Sequence, residues 1–161
     1  MNIEDNLRKS VMGIHNRILL AVDLHPDYDE YTTQRAVAFA KEQNAQLYII
    51  HCIEPIHAYG AAQGYQLILE VEKQVEDEAN KALSELAKQY NIPEEQQIIM
   101  QGPPQRVIVE QAKTLNADLI IVGEHGRHGF SLLFGSTADG IIHHAHCDVL
   151  AIRAQEEKKA E

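Results

Sequence analysis

Short, unbroken apolar runs alternate along the chain with stretches in which apolar residues recur every three or four positions. Arg17 to Val22 (RILLAV), Leu47 to Ile53 (LYIIHCI), Gln97 to Gln101 (QIIMQ), Asp118 to Val122 (DLIIV) and Asp148 to Ile152 (DVLAI) are the unbroken runs. Their branched side chains predict parallel strands covered on both faces. Between the first two, Ala36, Phe39 and Ala40 are spaced as one helix face, with Asp29, Thr32 or Thr33 available as N-cap and Asn44 near the stop. Val71, Val75, Ala79, Ala82, Leu83, Leu86 and Tyr90 mark a long second helix that Pro93 ends. Pro103-Pro104 opens a third helix carrying Val107, Ile108, Ala112 and Leu115, and Thr137 to Ala145 forms a short fourth one.

Strand and helix therefore alternate from end to end. Right-handed crossovers turn that order into an α/β fold, a doubly wound parallel sheet with helices on both faces. Ligands of such sheets sit at the carboxyl ends of the strands, where the strand order reverses. At 161 residues, with no linker-like stretch, one domain is expected: an N-terminal extension over 1–16, the domain over 17–154 and a charged tail over 155–161.

The net charge of -10 repels nucleic acid and anionic lipid, so neither is an expected partner. The acidic start and the lack of any apolar run of about 18 residues predict a soluble, cytoplasmic protein. The same charge repels phosphorylated ligands, which would then need backbone N–H donors placed locally. Cys52 and Cys147 each sit in or beside an apolar run, as reduced core thiols do.

One segment offers such donors. Gly123-Glu124-His125-Gly126-Arg127-His128-Gly129 leaves the fourth strand, and Gly135-Ser136-Thr137 leads into the last helix. Glycines let the backbone approach a ligand closely, and free N–H groups at a helix start favour phosphate. The competing reading makes Ser136-Thr137-Ala138-Asp139 a capping box, with Asp139 supplying the negative charge. Neither G-x-G-x-x-G nor G-x-x-x-x-G-K-[ST] occurs, which removes the common dinucleotide and P-loop readings.

The spacing resembles the universal stress protein family, whose ATP-binding members carry G-x-x-G, nine residues, then G-[ST] before the last helix. The similarity also covers the first strand ending in Asp23, His51-Cys52, Gly102-Pro103, Ala117 to Gly123 and His144 to Leu150. The resemblance implies a five-stranded sheet of order 3-2-1-4-5, of the adenine nucleotide alpha hydrolase-like kind. It also implies a stress-linked homodimer, often joined through the last strand, and ATP, with Mg2+ accompanying it, as ligand. Val22 and Asp23 would then meet adenine and ribose, Cys52 would pack on adenine, and Gly123, Gly126, Gly135, Ser136 and Thr137 would hold the phosphates.

The chain departs from that pattern twice. Eight residues separate Gly126 from Gly135, and Glu124 stands where the family's binders have Ser or Thr. Arg127, or protonated His125 and His128, would offset the added carboxylate. Two other functions stay open: a dimer working by protein contact without nucleotide, and a slow ATP hydrolase using Asp23, His51 or His125. His143, His144, His146 and Cys147 look like metal ligands, but neighbours on a short helix point apart, so no structural metal is expected. Val149, Leu150 and Ile152 make the last strand an apolar sheet edge that a second copy would cover.

Overall fold

The computed structural model describes residues 14–24, 30–56, 64–124 and 135–153. Among them run five strands: β1 (Arg17–Ala21), β2 (Gln46–Ile53), β3 (Gln97–Gln101), β4 (Leu119–Glu124) and β5 (Asp148–Arg153). Four helices alternate with them, α1 (Glu30–Gln43), α2 (Tyr65–Gln89), α3 (Pro104–Thr114) and α4 (Ser136–His144). All strand pairs are parallel, in the order β3-β2-β1-β4-β5. The predicted α/β sheet and its order are those observed.

Alternation along each strand divides the core in two, because successive side chains point to opposite faces. Ile18, Leu20, Leu47, Ile49, Leu119, Ile121 and Ile152 face one side, where Ala36, Val37 and Ala40 of α1 and Leu83 and Ala87 of α2 cover them. Leu19, Ile50, Ile120 and Val122 face the other, beneath Val107, Ile108 and Ala112 of α3 and Ala138 and Ile141 of α4. The three central strands are thus buried on both faces, as their unbroken apolar sequence requires.

Several expected boundaries shift. Pairing carries β4 on through Gly123 and Glu124, opposite Ile152 and Arg153 of β5, so the loop starts later than the glycine suggested. Thr32 and Thr33 are fully buried inside α1 and do not cap it, and Asp29 lies outside the described residues. Asp118 precedes its strand and acts as a clamp: its carboxylate accepts hydrogen bonds from the backbone N–H groups of Asn16 (2.7 Å) and Arg17 (3.2 Å). Its own N–H donates to the carbonyl of Arg17 at 2.9 Å, tying the starts of β1 and β4 together.

Three helices end in the same way. Asn44, Asn91 and Asn116 have φ of 53°, 54° and 51°, a left-handed conformation that Asn tolerates better than most residues. The following N–H groups of Ala45, Ile92 and Ala117 reach back to the carbonyls of Ala40, Ala87 and Ala112 at 2.9, 2.9 and 2.8 Å. Each bond satisfies a carbonyl that the helix end leaves free and turns the chain sharply into the next segment.

Candidate functional site

The reversal of strand order falls between β1 and β4, and there the carboxyl ends of the strands open into a cleft of about 500 Å³. Ala21, Val22 and Asp23 form its floor from β1, and Ile50, His51, Cys52 and Glu54 contribute from β2. Val122 and Gly123 of β4 and Gly135 to Ala138 at the start of α4 close one side. Pro104 and Ile108 of α3 close another. Of the residues singled out from sequence, Val22, Asp23, Cys52, Gly123, Gly135, Ser136 and Thr137 meet at this cleft. Gly126 and Arg127, like His125 and His128, lie outside the described residues.

α4 begins one residue earlier than expected. Gly135 is its N-cap, at φ -55° and ψ 155°, and no side chain caps the helix. The first intrahelical bond runs from the Asp139 N–H to the Gly135 carbonyl at 3.0 Å. The amides of Ser136, Thr137 and Ala138 come before it, where helix geometry supplies no acceptor. The capping box is therefore not formed: Ser136 is already in the first turn, and the Asp139 carboxylate pairs with His143 Nε2 at 3.4 Å. Three donors with no acceptor among the described residues, at the positive end of the helix dipole, thus belong to residues that line the cleft, beside the hydroxyl-bearing Ser136 and Thr137.

Part of the lining is apolar. Val22, Ile50, Ile108 and Val122 are buried, and burial pushes the Cys52 thiol up to about 11 from 9.0. Cys52 and Cys147 are both unpaired, and at neutral pH Cys52 is a neutral packing group rather than a nucleophile. Since the folded-state value is the higher one, protonation of Cys52 leaves stability untouched below about pH 9. Stability is then lost as pH climbs from about 9 toward 11. Cys52→Ala should flatten that decline in denaturant titrations made at about pH 8 and about pH 10.5. Parallel declines in both proteins would refute it.

His51 ties the end of β1 to β2. Its Nδ1 lies 2.9 Å from the carbonyl oxygen of Val22, so the ring donates there, and the Val22 N–H in turn donates to Ile50 at 2.9 Å. β1 formally stops at Ala21, yet these two bonds hold Val22 to β2. Because the peptide unit is planar, fixing the Val22 carbonyl also fixes the direction of the Asp23 N–H.

Sequence reasoning missed Glu54, Pro104 and Ile108. A signal for the last two existed: Pro104 opens a helix directly after β3 and Ile108 follows it by four residues, so both belong to the first turns at the carboxyl edge. The histidine cluster is spread away from the cleft. His143 pairs with Asp139, and His144 Nδ1 approaches the Gly140 carbonyl at 2.7 Å. Among the described residues no three His, Cys, Asp or Glu side chains converge as a metal site would require.

The profile described as "Universal stress protein family" matches residues 15–153. The chain belongs to the universal stress protein family. It is 44% identical over 142 residues to universal stress protein A homolog 2 of Coxiella burnetii, covering 88% of this chain and 97% of that one. In structure this universal stress protein is similar to UspA of Lactobacillus plantarum, with a TM-score of 0.72 at 24% identity over 86% of this chain and 97% of that one. It shares its fold with a universal stress protein solved in complex with cAMP, at 23% identity and a TM-score of 0.55, covering 88% and 98% of the two chains. It also shares it with one from Arabidopsis thaliana with AMP bound, at 17% identity and a TM-score of 0.56, covering 91% and 97%. No helix among the described residues is long and apolar enough to cross a membrane.

Proposed function

We propose that this universal stress protein binds ATP or a related adenine nucleotide in the cleft between β1 and β4, and acts as a stress-response switch through a homodimer. The observation that carries the reading is the bare start of α4, three backbone donors facing a cleft at the reversal of strand order. Such a helix start recognises phosphate without needing help from the protein's overall negative charge. Gly135 lets the phosphates come close, the Ser136 and Thr137 hydroxyls add donors, and Asp23 suits the ribose hydroxyls as an acceptor. Val22, Ile50, Cys52 and Ile108 offer adenine an apolar slot, and Mg2+ would arrive on the phosphates. The bound AMP and cAMP of two relatives in fold support an adenine ligand. β5 lies at the sheet edge, which gives a second copy an unpaired row of backbone groups to join.

Calorimetric titration of the full chain with ATP, together with mass spectrometry of small molecules released from natively purified protein, tests the reading. Saturable ATP binding supports it. Absence of both heat and recovered nucleotide would leave the contact-only dimer as the function.

Asp23→Ala should weaken ATP about tenfold or more, since a hydrogen bond to a charged acceptor contributes about 1.5 kcal/mol or more. It should also erase the preference for ATP over 2′-deoxy-ATP. If the preference survives the substitution, the ribose is held elsewhere.

A further inference from the structure

α2 is longer than the sheet it covers. Its 25 residues span about 37 Å, whereas the five residues of β3 span about 17 Å. Only Ala79, Leu83 and Ala87 are buried, all in the second half, whose end is tied to α1 where Gln89 Nε2 and Tyr90 Oη donate to Glu30 at 2.7 and 3.2 Å. The helix starts after the carboxyl end of β2 and delivers the chain to β3, so its first turns overshoot at the edge where the cleft opens.

Those turns are apolar and uncovered. Tyr65 is 64% exposed, Leu67 65%, Leu69 46%, Val71 40% and Val75 37%. Tyr65, Leu69, Glu72, Glu76, Ala79, Leu83 and Ala87 step by three or four, so Tyr65 and Leu69 prolong the face that α2 packs on the sheet, with Val71 and Val75 at its flank and Leu67 on the far side of the helix. Two carboxylates, Glu72 and Glu76, interrupt that stripe, and Glu70, Asp77 and Glu78 flank it. Lys73 is the one cation between residues 64 and 80.

The geometry points to a docking surface for a basic amphipathic helix of a partner protein, its apolar residues on Leu69 and Val75 and its lysines or arginines on Glu72 and Glu76. A second copy fits poorly, because two-fold pairing of this face would set Glu72 and Glu76 against their own copies. An anionic membrane is repelled by the same carboxylates and by the net charge of -10. A basic helix meets both the apolar and the acidic parts, as helix-in-groove recognition requires.

The probe is a fluorescein-labelled 18-residue peptide of leucine and lysine at helical spacing, titrated with the full chain at about physiological salt and read by anisotropy. Leu69→Ser/Val75→Ser and Glu72→Lys/Glu76→Lys should each weaken binding more than tenfold. Glu94→Lys/Glu95→Lys, the same charge change on an exposed turn elsewhere, should leave it within twofold. All pairs are at the surface, and circular dichroism checks that each variant keeps its fold. The proposal is overturned if the two charge reversals weaken binding equally, or if a peptide of the same composition at strand spacing binds as well. It is also overturned if sedimentation shows a dimer that Leu69→Ser/Val75→Ser dissolves, or if wild type binds phosphatidylglycerol vesicles through this pair.

Discussion

Gly135→Val should reduce ATP affinity more than about 100-fold without unfolding the protein. Gly135 has φ -55° and ψ 155°, a conformation open to any residue, so the backbone gains no strain from a side chain. What changes is the approach to the first turn of α4. Two isopropyl carbons at the N-cap would stand where phosphate oxygens must come within about 3 Å of the amides of Ser136 and Thr137. Losing two charge-assisted bonds of about 1.5 kcal/mol each corresponds to about 3 kcal/mol, or roughly two decades in affinity. Melting should fall by no more than about 4 °C, since valine is about 1 kcal/mol poorer than glycine as an N-cap. Calorimetry and a thermal melt on the same preparation decide the matter: unchanged affinity would mean that the phosphates do not use this helix start.

Gly102→Ala should destabilise the protein strongly for a change of one methyl group. Gly102 is buried between β3 and α3 with φ +136°, a region that residues bearing a Cβ rarely enter. Its N–H donates to the Ile53 carbonyl at 3.0 Å, so the turn cannot rotate away without losing a bond that extends the β2–β3 pairing. An added Cβ would also lie 2.8 Å from Cγ2 of Val107, a buried core residue with little room to yield. Backbone strain and overpacking by one methyl each contribute about 1–2 kcal/mol, so a loss of about 2–4 kcal/mol is expected. At this chain length that lowers the melting temperature by roughly 5–15 °C. Gly102→Ala/Val107→Ala separates the two causes: it relieves the collision but keeps the backbone strain. A single variant melting within about 2 °C of wild type would show that the turn adapts freely. Since α3 brings Pro104 and Ile108 to the cleft, the same variant should also weaken nucleotide binding.

The periodicity of apolar residues marked all five strands within two residues of their observed ends, because a parallel strand buried on both faces must be apolar along its whole length. It found α3 and the body of α2, since a helix resting on a sheet needs only one apolar stripe, but it missed the first six residues of α2, Tyr65 to Glu70, which precede the Val71 start that the spacing marked. The boundaries that shifted were set by neighbours rather than by propensity. Gly123 and Glu124 belong to β4 because β5 pairs with them, and Thr32 and Thr33 lie inside α1 because the core there accepts two small side chains.

By itself, then, the sequence determined the alternating order of elements, and with it the parallel sheet and the edge at which sheets of this kind bind their ligands. Its family pattern determined that Asp23, Cys52 and Gly135 to Thr137 are worth bringing together. Only the tertiary structure decided that α4 starts bare at Gly135 rather than capped by Asp139, that His51 holds Val22, and that α3 completes the cleft. Periodicity and capping preference are local, readable within one or two turns of chain. A wall of a cleft is made of segments far apart in sequence, here Val22, Cys52, Pro104 and Ser136, each 30 to 52 residues from the next, and their meeting depends on crossovers and packing that no local window contains.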